Sequence, residues 1–143
     1  MKLTIPIEPV AQGRPRLTAK GGYAHAYDPP KSRAYKKQMQ AYIKKHYPDV
    51  TPSSSPLVIT LRFYRKIPKS FSKTKTQQSE EALLVPVTKP DLDNYIKGTL
   101  DALNGIAWAD DKQIVGIYAS KRYSTNPRTE IEIDFYKKEY TND

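Results

Sequence analysis

From residue 57 to residue 64 the side chains alternate without a break: Leu57, Ile59, Leu61 and Phe63 on one parity, Val58, Thr60, Arg62 and Tyr64 on the other. A period of two sends these sets to opposite faces of an extended strand, and the all-apolar set has to be buried under a second layer. The chain therefore needs a sheet and something to cover it. Leu3, Ile5 and Ile7 alternate with Lys2, Thr4, Pro6 and Glu8, which predicts a half-buried strand that Pro6 confines to an edge or ends early. Two more strands are predicted over residues 113–123 and 129–136, the second alternating Ile131, Ile133 and Phe135 with Glu130, Glu132 and Asp134, and Asn126-Pro127 marks the turn between them.

The covering layer is legible as two helices. Tyr35, Met39, Tyr42 and His46 recur at helical spacing, which predicts a helix over residues 32–47 with Ser32 as its N-cap and Pro48 closing it. His46 on that apolar stripe reads as a packed, hydrogen-bonded histidine. A second helix starts at Asp91, just after Pro90, carries Ile96, Leu100 and Leu103 on one stripe, and stops at Asn104-Gly105. Residues 10–30 are rich in Gly and Pro and read as a long loop, residues 51–56 as a turn, and residues 65–88 as a basic loop or hairpin with a helical part around 70–83. The order β, α, β, α, β, β predicts a single α+β domain over residues 1–143, a mixed sheet of about four strands with two main helices packed on it.

Twenty-four Lys and Arg against 15 Asp and Glu give a formal charge of +9, which favours a polyanionic partner. No apolar run approaches the roughly 18 residues a membrane helix needs, and the N-terminal MKLTIPIEPV is not a signal-peptide core. A cytoplasmic protein without a membrane partner is expected. The absence of cysteine removes disulfides and thiolate metal sites, and two histidines are too few for a zinc site built on nitrogen ligands. Any metal would sit on oxygen, which selects hard ions such as Mg²⁺ or Mn²⁺.

Oxygen ligands are concentrated in residues 89–115, KPDLDNYIKGTLDALNGIAWADDKQIV. With Asp91 at the N-cap, Asp93 is the second helical residue, and both acids sit at the positive end of the helix dipole. Lys97 lies four residues on, along the same face. Asp110-Asp111 precede a strand that can return alongside the helix, bringing Asp111 close to Asp91 and Asp93. Three such carboxylates repel unless a cation sits among them, and a divalent ion there would leave positions for a phosphate oxygen and a water. Lys97 is placed to stabilise the leaving oxyanion or to assist the water. Asp101, later on the helix, reads as an ion-pair or turn residue, and Trp108 as a core or interface residue. A bare D-x-D would be read as helix capping.

The run of elements, however, resembles the RusA family of Holliday junction resolvases: Asp91-Leu92-Asp93-Asn94, then Lys97, then Asp101-Ala102-Leu103, then Trp108-Ala109-Asp110-Asp111, in the family's order. The turn Gln12-Gly13-Arg14-Pro15-Arg16 is similar to that of many members from prophages, while residues 65–88 are the least family-like part. The resemblance implies a homodimer of α/β subunits that binds four-way junction DNA and nicks two strands symmetrically in recombination and repair. It implies Mg²⁺ as the cofactor, with Mn²⁺ as a substitute, and no organic cofactor. Asp91, Asp93 and Asp111 match the family's essential acids, which would hold the metal, and Lys97 its essential lysine; Asp110 matches a frequent companion, an optional further ligand. Arg14, Arg16, Lys20, Lys69, Lys73 and Lys75 are the candidates for phosphate contact. The competing readings are a nucleic-acid-binding protein without catalysis and a metal nuclease acting on flaps or forks.

Overall fold

The computed structural model describes residues 1–138, apart from the side chain of Lys20. Its elements are β1 (Lys2–Ile5), β2 (Arg16–Thr18), β3 (His25–Tyr27), α1 (Pro30–His46), β4 (Leu57–Lys66), α2 (Lys73–Glu80), α3 (Leu92–Leu103), β5 (Ile114–Ser124) and β6 (Arg128–Phe135). Four strands form one mixed sheet in the order β1-β6-β4-β5, with β4 parallel to β5 and antiparallel to β6. The architecture is α+β.

The inward parity of β4 is buried as its alternation requires: Leu57, Ile59, Leu61 and Phe63 are at most 1 % exposed. They pack with Leu3 and Ile5 of β1, Ile131 of β6, Tyr35, Met39 and Ile43 of α1, and Tyr95, Ala102 and Leu103 of α3. Each such side chain contributes about 1.5–3 kcal/mol by leaving water, so this face holds the sheet to α1 and α3. The opposite parity of β4 meets no helix stripe. There Arg62 bonds to Glu132 and lies 3.9 Å from Glu130, and the Arg128 guanidinium stacks 3.7 Å over the Tyr64 ring.

Several sequence expectations need correction. Residues 10–30 are not a featureless loop: β2 and β3 pair antiparallel, Arg16 opposite Tyr27. Most of their side chains are exposed, so no apolar alternation announces them. The first helix starts at Pro30, whose fixed φ and missing N–H suit a first helical position. Ser32 does not cap it; its buried hydroxyl accepts from the Gly13 N–H at 2.9 Å and donates to the Ala11 carbonyl at 3.4 Å. His46 is not packed inside but exposed, stacked on Tyr42 at 4.2 Å between centroids. The helical part expected around 70–83 is there as a third helix, α2, capped by the Ser72 hydroxyl accepting from the Lys75 N–H at 3.1 Å. The last two strands are there, yet they do not pair with each other, because β4 lies between them and the link through Asn126-Pro127 crosses its end.

Candidate active site on α3

Asp91 occupies the N-cap position of α3 in extended conformation, φ −71° and ψ 149°, but its carboxylate makes no capping hydrogen bond. Asp93 lies in the first turn. Both are exposed, and among the described residues neither carboxylate has a hydrogen bond or an ion pair, nor does the Lys97 ammonium one turn further. Spacing put Asp93 and Lys97 side by side; they are left open to a ligand instead of closing on each other. The segment entering α3 is tied to β5, since Lys121 donates to the carbonyls of Thr88 at 3.0 Å and Pro90 at 3.1 Å.

The Gln12–Arg16 turn is fitted to the same helix. Gly98 leaves a notch in α3 where a Cβ would stand 3.4 Å from the Val10 carbonyl and the Gln12 nitrogen. Through it the Gln12 N–H reaches the Asn94 carbonyl at 2.9 Å. Gly13 is wedged against α1, a Cβ there falling 2.8 Å from Pro29 Cγ. Arg14 and Arg16 emerge exposed from this anchored turn, and the backbone of Lys20 follows in the hairpin. A charge chain closes the arrangement: Lys36 of α1 donates to Asp28 at 2.7 Å and lies 3.4 Å from Asp101. Asp101 is thus the ion-pair residue expected. The Lys36 ammonium holds the Asp28 carboxyl below the usual carboxylate range, against burial and with help from Gln12.

Asp111 is elsewhere. The residues after α3 coil back on its C-terminus: Gly105 takes φ +77°, Trp108 is buried with its indole N–H donating to Asn104 Oδ1 at 2.9 Å, and Ala109 is pinned to Ser53. Asp111 therefore faces Asn104 and Asp101, at the far end of α3 from Asp91, about 18 Å away along a twelve-residue helix. Burial pushes its carboxyl up, and a hydrogen bond to Asp110 and the charges of Asp110 and Asp101 add to that. Asp110 caps the following 3-10 turn, accepting from the Lys112 N–H at 3.0 Å, a bond that lowers its carboxyl. Among the described residues no three Asp, Glu or His side chains gather closely enough to hold a metal ion, so the expected meeting of Asp91, Asp93 and Asp111 does not occur within one chain. The two acids at the start of α3 nevertheless suit a hard divalent cation, since Mg²⁺ commonly takes one or two carboxylates and fills its other positions with water and phosphate.

One candidate was missed. Arg65 shares the inward parity of β4, where a charge is anomalous, and that parity was the available signal. It lies 5.9 Å from the Tyr123 ring, acts electrostatically on Tyr95 in α3, and has a buried Nη1 without a partner. Lys69, Lys73 and Lys75 are exposed around α2, Lys75 set 5.7 Å from the Phe71 ring. A cleft lined by Val50, Leu57, Ala107 and Phe135 contains none of the candidate residues.

The sequence matches the family model described as "Endodeoxyribonuclease RusA" over residues 6–134. It is also similar to "Uncharacterized protein YqaN" of Bacillus subtilis (strain 168), 44 % identical over 135 residues that cover 93 % of this chain and 94 % of the relative. No helix among the described residues is long and apolar enough to cross a membrane. With the paired acids opening α3, the lysine one turn on and the Trp108–Asp111 turn all in the matched region, the chain belongs to the RusA endodeoxyribonuclease family.

Proposed function

We propose that the protein is a divalent-metal-dependent endonuclease that resolves four-way DNA junctions by paired nicks. The observation that carries this reading is the pair of uncommitted carboxylates, Asp91 and Asp93, at a helix N-terminus beside the equally uncommitted Lys97. Were Asp91 a structural cap, its side chain would accept a backbone N–H of the first turn.

Asp91 and Asp93 would hold Mg²⁺, with Mn²⁺ as a substitute; Asp111, at the other end of α3 in the same chain, would reach that ion only from a second copy. The ion supplies charge neutralisation at the scissile phosphate and a more acidic water. Lys97, one turn along the helix and unpaired, would stabilise negative charge on the leaving oxygen. Arg14 and Arg16, on a turn anchored to α3 through Gln12, hold the backbone of the strand to be cut. Lys69, Lys73 and Lys75 extend the contact along a neighbouring arm, with Lys20 placed on the same hairpin as the arginines. Asp110 serves the turn that positions Asp111.

The deciding experiment is cleavage of a synthetic four-way junction beside a linear duplex, with Mg²⁺ and with chelator. Paired nicks confined to the junction and lost on chelation are expected. Junction binding with no cutting in any metal would replace the enzyme by a binding protein, and cutting restricted to flaps or forks would change the substrate.

A further inference from the structure

Between β4 and α3 the chain carries residues 67–88, where none of the RusA motifs falls, and the last part of this stretch exposes what a soluble loop normally hides. α2 ends in a Schellman turn: the Leu83 N–H donates to the Gln78 carbonyl at 2.8 Å and the Ala82 N–H to the Ser79 carbonyl at 3.2 Å, with Ala82 at φ +60°. Such turns frequently tuck the residue at the Leu83 position against an apolar one in the last turn of the helix. Here that turn offers Gln77 and Gln78, and Leu83 stands 74 % exposed. Beyond it burial alternates as along a strand, Leu84 half-buried and Pro86 buried, Val85 and Val87 turned out to 40 and 86 %. The row is held at both ends, by Glu80 accepting from the Thr125 N–H and by Lys121 donating to the Thr88 carbonyl at 3.0 Å. Three aliphatic side chains are thus fixed in water on an anchored backbone, the mark of a contact surface.

Resting on the junction-nuclease reading, we propose that Leu83, Val85 and Val87 form a wedge that enters the branch point of the DNA and lies against base faces left unstacked there. Position selects DNA as the occupant. Val87 precedes Asp91 by four residues, so the two stand at most about 14 Å apart, the span of about four nucleotides of one strand. A protein seated on the row would bar that strand from the acids. Charge agrees: Lys66, Lys69, Lys73, Lys75 and Lys89 are exposed on either side of the row in sequence, and the two acids among them, Glu80 and Glu81, are bonded to Thr125 and Gln77. The chemistry of the row then selects the part of the DNA. Aliphatic side chains offer phosphates and base edges no hydrogen bond, and gain only by leaving water against the flat face of a base. In a linear duplex that face is exposed only by breaking a stack, whereas at a branch point the stack is already interrupted. The row therefore favours branched over linear DNA, and the acids next to it cut close to the branch.

The test uses a four-way junction carrying 2-aminopurine, a base that fluoresces more brightly when unstacked, at the branch point, with chelator present so that nothing is cut. Wild type should raise the fluorescence of the junction and not that of a linear duplex with the same base in mid-strand. The variant combining Leu83→Ser, Val85→Ser and Val87→Ser should lose the rise, and its ratio of junction to duplex affinity should fall about tenfold, the scale of burying one leucine. Leu83→Met, still apolar, should keep both. The replaced side chains are exposed, so Tm should hold; if the triple variant does not fold, Leu83→Ser alone carries the test. A flat wild-type signal, or a triple variant with the wild-type rise and ratio, overturns the wedge, while junction cutting in Mg²⁺ leaves the nuclease reading standing. A rise without cutting in Mg²⁺ or Mn²⁺ sinks that reading and keeps the wedge. A triple variant whose mass in solution by light scattering differs from that of wild type assigns the row to contact between protein copies and likewise overturns it.

Discussion

Asp93 and Lys97 share a helix face without pairing, so each can be neutralised without leaving the other stranded. Asp93→Asn is expected to abolish cutting while junction binding holds or tightens, because a repulsive charge facing phosphate is removed; gel-shift and cleavage assays on one preparation separate the two. Lys97→Met should slow cutting about 100-fold, the scale of losing one charge-stabilising group, with Lys97→Arg recovering part of it. Asp28 gives a pH signature unrelated to catalysis. Its carboxyl is lowered in the folded state by Lys36, so it contributes stability above the unfolded value near 4 that is lost as pH falls through the depressed one. Thermal unfolding of Lys36→Met should therefore be less sensitive to acid below about pH 4. The sign reverses at Asp111, raised by burial and by its acidic neighbours: its contribution is present below the unfolded value and lost as pH rises through the folded one. Asp111→Asn should then melt slightly higher than wild type at neutral pH, even with its cutting gone. Arg65 marks how residue-level legibility fails, because strand parity pointed at it and motif reading looked past it.

At the scale of elements, glycine sets the distances between the basic turn and the helix it serves. Gly13→Ala would drive a Cβ to 2.8 Å from Pro29 and should cost about 1–3 kcal/mol, read as a lower Tm. Its larger consequence should be weaker junction binding, since the turn bearing Arg14 and Arg16 loses its seat. Leu61→Ala in β4 is the contrasting control, a cavity mutation expected to cost about 2–5 kcal/mol without a particular effect on DNA affinity. The elements that were legible are those that bury a stripe: β4 through its alternation, α3 through its apolar spacing and its Asn104-Gly105 stop. β2 and β3 bury almost nothing, and a segment without a buried face leaves no period to find; α2, which buries only Ser79, is legible around 70–83 but not in its bounds. The insertion of β4 between β5 and β6 is a long-range pairing that turn chemistry at Asn126-Pro127 does not encode. The position of Asp111 was ambiguous for a related reason. Seven residues after Asn104 could span about 23 Å if extended, enough to return to Asp91; burial of Trp108 coils them up at the near end instead.

For the whole molecule, the excess of nine positive charges should appear as a steep loss of junction affinity with salt. Replacing Arg14 or Arg16 by Gln should each lower the slope of log affinity against log salt by about one unit if that residue neutralises a phosphate. An unchanged slope removes the residue from the interface, and the same measurement sorts Lys20, Lys69, Lys73 and Lys75.

The open side of the sheet bears on that encounter. Arg62 is occupied by Glu130 and Glu132, and Arg128 by Glu130 and the Tyr64 ring, so cations there are largely spoken for. α1, on the reverse side, carries no acid at all, and of its cations Lys36 is paired with Asp28 and Asp101 while Lys31, Arg33, Lys37, Lys44 and Lys45 are exposed. If the exposed cations of α1 outweigh the paired ones across the sheet, a polyanion diffusing toward the molecule should feel a torque before it feels a contact, turning the helical side toward it.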